Sequence, residues 1–300
     1  VMMAMANAGQ ADMLRSAEKI LSSMTGVVGQ GEVAISLVCA ESRPEPGQEL
    51  AMQSLNVSAL ATMTAKTLGL SPEEIAHAAM GGLFHNIGMG RVPLAVRVKS
   101  EEDLSPTETK LLRMYPQLGK EILEAIEGVA PEVVEIVYQH REYLDGTGFP
   151  KRLINGDIAK TARLVGTVVE YNLLSSDQRS ASYMGPAKAL SYVYTKLKNK
   201  FGPDVVEPFI ATVTVFPPGS FVELNDGSFG LVLKSNPQER LRPVIMLYER
   251  HASHDQPAII DLARERSISI EKALDPKGLP DRVKDALLTT KLKGYVITGK

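Results

Sequence analysis

The stretch from Val133 to Pro150 constrains this chain most. Val133, Val137 and His140 recur at helical spacing, which predicts an amphipathic helix that turns His140 inward. Directly after it, Asp145-Gly146-Thr147-Gly148-Phe149-Pro150 breaks the pattern. Two glycines and a proline in so short a stretch demand a tight loop of fixed shape. A helix that delivers His140 and Glu142 into such a loop makes one wall of a polar pocket.

The surrounding sequence is helical from residue 49 to about residue 210. Ser71-Pro72-Glu73-Glu74 and Ser105-Pro106-Thr107-Glu108 both read as helix starts, with a Ser cap, Pro at the first helical position and acids at the positive helix end. Pro131 opens the helix to His140. Further helices are expected from Ile158 to Leu174, from Pro186 to Leu197 and after Gly202-Pro203-Asp204. After Thr212 the texture changes to strand-length apolar runs, with Asn225-Asp226-Gly227 as a hairpin turn between two of them. Residues 214–262 therefore read as a small antiparallel β-module, and the tail from Ser269 to about Leu288 as helix. The opening is less informative. A helix is expected near residues 11–25, Glu32 to Ala40 fits helix or strand, and Arg43-Pro44-Glu45-Pro46-Gly47 punctuates the entrance to the main domain. The division expected is a helical N-terminal segment over 1–48, a helical domain over 49–212, and a β-module with a C-terminal helix over 213–300.

Composition excludes several function classes. The formal charge is −2, with none of the basic bias that nucleic-acid polymers select. A single cysteine, Cys39, rules out an intrachain disulfide framework and suits a reducing compartment. No apolar run reaches the roughly 18 residues of a membrane span. The start, Val1-Met2-Met3, lacks the build of a signal peptide, and beginning on Val suggests a processed or truncated chain. The expectation is a cytoplasmic protein without membrane insertion.

The stretch Gln139-His140-Arg141-Glu142-Tyr143-Leu144-Asp145-Gly146-Thr147-Gly148-Phe149-Pro150 resembles the HHExxDGxGYP signature of HD-GYP proteins, metal-dependent phosphodiesterases that cleave cyclic di-GMP. Four more segments resemble that family in the right order. Gln53-Ser54-Leu55-Asn56-Val57 matches its first helix, and His85-Asn86-Ile87-Gly88-Met89-Gly90-Arg91-Val92-Pro93 matches HDIGKIGIP. Leu104 to Glu108 with Tyr115-Pro116-Gln117-Leu118-Gly119 matches LTPEE…HPxxG, and Arg163 to Asn172 matches RIxxVADxYD. The resemblance covers about residues 49–210 and implies a mainly α fold, an HD-type helical bundle, with the small β-module appended.

It also implies a cluster of His and carboxylate ligands around two or three metal ions, which polarise the phosphate and generate hydroxide. Here most of those positions differ. The first His is Gln53, the Asp of the HD pair is Asn86, and the following Lys is Met89. The His of the HP pair is Tyr115, the second His of HHE is Arg141, and the Asp of VAD is Val169. His85 and His140 remain, and Glu49 matches an acidic ligand of some members. Asn86 offers only a neutral amide oxygen, Val169 offers nothing, and Arg141 stays cationic and repels a metal. A mononuclear site of His85, His140 and Glu49 is the fullest set left, against the simpler reading of two hydrogen-bonded core histidines. Glu142 and Asp145 can shape the loop by hydrogen bonds alone, and His77, His251 and His254 read as surface residues.

The expectation is a catalytically inactive homologue with no cofactor and no metal, acting through a protein partner in cyclic di-GMP signalling. Homo-oligomers are compatible with this, and binding of cyclic di-GMP is expected to be weak. A first alternative is a metal-free cyclic dinucleotide receptor, contacted by Arg141, Gly146, Gly148, Phe149, Pro150 and Arg179, with Arg141 forking onto a phosphate. A second is a residual metal-dependent phosphohydrolase. Arg141 is expected to be held by Glu142, Asp145 or Glu49, because an unpaired guanidinium in a half-buried pocket is costly.

Overall fold

The computed structural model describes residues 14–19, 22, 33–39, 48–176, 182–248, 258–288 and 292–299. The chain forms two compact units. One comprises Val1–Gly26, Pro44–Asn172 and Val193–Thr212, the other Val27–Arg43, Leu173–Tyr192 and Val213–Lys300.

The first unit is a helical bundle. Its helices are α1 (Gln48–Thr67), α2 (Pro72–Phe84), α3 (Pro106–Leu112), α4 (Tyr115–Glu124), α5 (Pro131–Gln139), α6 (Lys160–Ser176), which runs on into the second unit, and α8 (Pro203–Val213). Both expected capping boxes form. Ser71 accepts from the Glu74 amide and Ser105 from the Glu108 amide, while each glutamate reaches back to its serine's backbone N–H. One core cluster joins Leu83 and Phe84 of α2, Leu123 of α4, and Val133 and Val137 of α5, with Ala17 of the helical residues 14–19 packed in. A second gathers Val92, Val96 and Tyr115, with Met89, Leu111 and Phe149 against them. Gly88, in the 3₁₀ segment Ile87–Arg91, lies where a Cβ would collide with the carbonyl of Tyr115, so this segment and the start of α4 approach closely.

The second unit holds α7 (Pro186–Tyr192), α9 (Asp281–Leu288) and an antiparallel sheet. Its strands are β1 (Val33–Cys39), β2 (Phe221–Leu224), β3 (Phe229–Lys234), β4 (Val244–Leu247), β5 (Ile259–Asp261), β6 (Ile270–Leu274) and β7 (Leu292–Gly299). The path is β5-β4-β3-β1-β7, and β2 pairs with both β3 and β6. The hairpin from β2 to β3 turns at Gly227, whose φ of +78° suits glycine. Val222, Leu224, Val232 and Ile245 fill one core cluster, and Phe221, Leu231 and Met246 pack with Val283 and Leu287 of α9 in the other.

The fold is mainly α with a small antiparallel sheet, as the sequence implied. Three local expectations change. The N-terminal segment is not helical throughout: of the helix or strand open to Glu32–Ala40, residues 33–39 take the strand, because β7 offers an antiparallel partner from Val33↔Gly299 to Cys39↔Leu292. The tail after Ser269 is not helix from its start, because β6 adds to the free edge of β2 before α9 begins. The helix expected from Pro186 to Leu197 gives way to a π-helical turn at Val193–Leu197. Among the described residues no helix is long and apolar enough to cross a membrane.

Candidate functional site

The loop after α5 is held from within. Glu142 is buried, and its carboxylate accepts from the backbone N–H groups of Lys151 (2.6 Å), Arg152 (3.2 Å) and Leu153 (3.0 Å). Asp145 accepts from the Thr147 amide at 2.9 Å and hydroxyl at 2.6 Å, the turn expected of an Asx residue. The Phe149 amide donates to the Arg141 carbonyl at 3.0 Å, closing the loop on itself. Gly148 sits where a Cβ would fall 2.5 Å from Glu142 Cα, and Gly146 has a φ of +73°. The Phe149–Pro150 peptide is cis.

His140 and His85 terminate α5 and α2 as their C-caps, and both are buried. Each ring places Nδ1 on a backbone carbonyl three residues back, Val137 for His140 and Gly82 for His85, both at 2.7 Å. A carbonyl only accepts, so Nδ1 carries the proton in both rings and Nε2 is left as the acceptor. On His140 that acceptor is already taken, because Tyr115 donates its hydroxyl to Nε2 at 2.8 Å. The two imidazoles meet edge to face with centroids 5.7 Å apart. Burial, and after it the Arg141 charge, pushes His85 down to about 4 despite its bond to Gly82. Burial, the neighbouring His85 and Arg141 hold His140 well below the usual imidazole range. Burial pushes the Tyr115 phenol up to about 12. At neutral pH all three are uncharged.

Arg141 supplies the positive charge of the pocket. Its Nη1 lies 2.8 Å from Glu170 Oε1, a close ion pair by distance rather than an aligned hydrogen bond, with both side chains about 15% exposed. Tyr143 donates its hydroxyl to the same oxygen at 2.8 Å. The guanidinium also lies 5.3 Å from the Phe149 ring centre, and that of Arg113 lies 5.6 Å from it. Among the described residues its acidic partner is thus Glu170, not Glu142, Asp145 or Glu49. Glu142 is committed to three loop amides and Asp145 to Thr147, whereas Glu170 reaches the guanidinium from α6.

The residues present do not fit the metal cluster that the resemblance implies. Among the described residues no three His, Cys, Asp or Glu side chains are grouped to hold an ion, so Glu49, half-buried on α1, does not complete a set with the two histidines. Asn86 is occupied at both ends of its amide: Ser54 donates to its oxygen at 2.9 Å, and its nitrogen donates to the Leu50 carbonyl at 2.9 Å. The acceptor of His140 belongs to Tyr115, and the guanidinium that lowers the proton affinity of both imidazoles opposes a metal cation for the same electrostatic reason.

The structure brings His85, His140, Tyr115, Arg141 and Phe149 together. Met89 packs in the apolar cluster with Phe149, Val169 is buried on α6, and Gln53 lies half-buried beside Ser54. Pro150 is half-buried, and Arg179 lies outside the described residues, as do His251 and His254. His77 is half-buried. Sequence reasoning missed Glu170, Ser54 and Arg113. A signal existed for Glu170: Arg163, Thr167 and Glu170 share one helical face, and Arg163 forks onto Asp204 at 2.7 and 3.0 Å.

The family model described as HD domain matches residues 32–205, more than half of the chain, and one described as KOW domain associated with HD domain matches residues 221–281. The chain is 29% identical over 228 residues to cyclic di-GMP phosphodiesterase PA4108 of Pseudomonas aeruginosa, covering 74% of this chain and 55% of that protein. It is 25% identical over 194 residues to the cyclic di-GMP phosphodiesterase response regulator RpfG of Xanthomonas campestris, covering 64% of this chain and 51% of that one. The chain spans about half the length of these curated relatives. Among solved structures, Bd1817, an HDG"Y"P protein from Bdellovibrio bacteriovorus, aligns at a TM-score of 0.48 and 20% identity, over 65% of this chain and 58% of that one. The chain belongs to the HD domain family, in its HD-GYP branch.

Proposed function

We propose that this chain is a catalytically silent HD-GYP module that acts in bacterial cyclic di-GMP signalling through a protein partner, in the cytoplasm, and without a metal ion. The observation that carries the reading is the Tyr115 hydroxyl seated on His140 Nε2, with Arg141 beside both histidines. A metal ion would have to displace that hydrogen bond and then sit against a fixed cation. Elemental analysis of the purified chain, together with a hydrolysis assay on cyclic di-GMP, tests it. We expect no stoichiometric iron, manganese or zinc and no turnover. Two metals per chain, or hydrolysis above a metal-free blank, would sink the reading in favour of a residual phosphohydrolase.

A metal-free cyclic dinucleotide receptor is the second reading, supported by the two guanidinium groups on the Phe149 ring. Against it, Arg141 is already engaged with Glu170, so forking onto a phosphate would break an ion pair. Calorimetric titration with cyclic di-GMP separates the two. Micromolar binding lost in Arg141→Ala favours the receptor.

A further inference from the structure

An Asp or Asn precedes glycine at three places in this chain: Asp145-Gly146, Asn155-Gly156 and Asp226-Gly227. Two of the three side chains are tied down. Asp145 Oδ1 accepts from the Thr147 amide and hydroxyl, and Asp226 Oδ1 from the Ser228 amide at 2.9 Å and hydroxyl at 2.6 Å. Asn155 is different. It is exposed, as is Gly156, and among the described residues no hydrogen bond engages its side chain or the Gly156 amide. A Cβ on Gly156 would meet nothing within 4 Å, so the approach to its nitrogen is open. Asn155 has a φ of +44°, a left-handed backbone that Asn tolerates better than most side chains. The bonds that hold this turn are long: Asn155 N–H to the Leu144 carbonyl at 3.3 Å, Asp157 N–H to the Ile154 carbonyl at 3.1 Å and Ile158 N–H to the Asn155 carbonyl at 3.3 Å.

We propose that Asn155-Gly156 is a self-modification site, at which loss of ammonia turns Asn155 into aspartate and isoaspartate and the isoaspartyl product loosens the segment around it. The Gly156 nitrogen gives up its proton and attacks Asn155 Cγ. An N–Cγ bond forms, the Cγ–Nδ2 bond breaks, and Nδ2 leaves as ammonia with the proton. Water then opens the five-membered imide. Cleavage at Cγ gives aspartate, and cleavage at the Asn155 main-chain carbonyl gives isoaspartate. Glycine at the second position favours the step, because the peptide between the two residues turns freely toward the side chain.

The place of the turn gives the product its effect. On one side Glu142 holds the amides of Lys151, Arg152 and Leu153, and Ile154 is bridged to Asp145. On the other, Gln139 accepts from the Ala159 amide at 2.8 Å and donates to the Asp157 carbonyl at 3.4 Å. Isoaspartate adds one main-chain atom between these two attachments, and the long bonds of the turn must absorb it.

The full chain, aged at mildly alkaline pH and then digested with trypsin, tests this. Cleavage after Arg152 and Lys160 releases residues 153–160, in which Asn155 is the one amide side chain. Mass spectrometry should show this peptide gaining the mass of amide-to-acid conversion ahead of the peptide that carries Asn225, whose side chain is held by Ser267 and Ser269. Isoaspartyl methyltransferase should label it. The rate in the folded chain should lie within about tenfold of that in urea, because an exposed turn opens at little cost. Gly156→Ala should slow it by about tenfold or more. The isoaspartyl form, separated by ion exchange, should unfold at lower urea than the parent, whereas Asn155→Asp, which adds the charge without the extra atom, should match the parent. Conversion in urea but not in the folded chain, or an unchanged rate in Gly156→Ala, would overturn the site. Equal urea midpoints for the isoaspartyl form and the parent would overturn its effect on the segment.

Discussion

At His140 both ring nitrogens are satisfied inside the protein, Nδ1 by the Val137 carbonyl and Nε2 by the Tyr115 hydroxyl. Tyr115→Phe keeps the ring and removes only the donor, leaving a buried acceptor unpaired. We expect a loss of about 1–3 kcal/mol in urea unfolding, and a loss under about 0.5 kcal/mol would show that the hydroxyl is not a structural partner. The two histidines also set a pH dependence whose sign follows from their depressed affinities. Unfolded imidazoles take up protons near pH 6.5, while native His85 resists until about 4 and His140 also stays neutral well below the usual range. Between those limits the unfolded state binds more protons, so stability is present above about pH 6.5 and falls as pH drops, by up to about 1.4 kcal/mol per pH unit for each histidine. Urea midpoints that stay flat from about pH 7 to about pH 5 would contradict this. The His-to-Arg and Asp-to-Asn differences at Arg141 and Asn86 were legible in the sequence because they change charge at motif positions. The position of Glu170 on the Arg163–Thr167 face was readable, but its pairing with Arg141 was not, since Arg141 lies on another element and no local spacing links the two.

The loop that follows α5 owes its shape to backbone contacts, and its glycines mark where they are tightest. A Cβ on Gly148 would fall 2.5 Å from Glu142 Cα, 2.5 Å from the Tyr143 nitrogen and 2.6 Å from the Arg141 oxygen. These are main-chain atoms that cannot rotate away, so Gly148→Ala must displace the loop from Glu142. We expect a cost of about 1–3 kcal/mol in urea unfolding. Gly156→Ala, which meets nothing within 4 Å, is the matched control and should stay within about 0.5 kcal/mol of the parent chain. Equal stability of the two variants would mean that the loop is more compliant than its contacts imply. Helix starts at Ser71 and Ser105 and the turn at Gly227 were readable because cap and turn chemistry lie within a few residues of each other. The strands β1, β6 and β7 were not, because their partners are far away in the chain. Val33 pairs with Gly299 and Leu224 with Ile270, and no local pattern carries that information.

The chain crosses between its two units several times. Residues 173–192 lie inside the stretch 49–212 that the sequence divides off as the helical domain, yet they pack with the second unit. Within that unit Lys188 reaches Asp275 at 2.7 Å, and a Cβ on Gly185 would lie 2.9 Å from the Pro276 side chain. Cutting the chain after Thr212 therefore removes the surroundings of α7 while keeping α7 itself. It also leaves α6, which carries Glu170 and the Arg163 clamp on Asp204, running out toward a segment that has lost its packing. The exposed ion pair at Lys188 contributes little, so the effect should come from lost packing and from the fraying of α6 rather than from charge. We expect a fragment of residues 44–212 to melt below the helical unit of the full chain and to show weaker amide protection toward the end of α6. Thermal unfolding followed by helical circular dichroism, with hydrogen exchange read along α6, measures both. A fragment with the melting midpoint and the protection of the full chain would show that the helical unit stands alone, and the division at Thr212 would then be a true domain boundary.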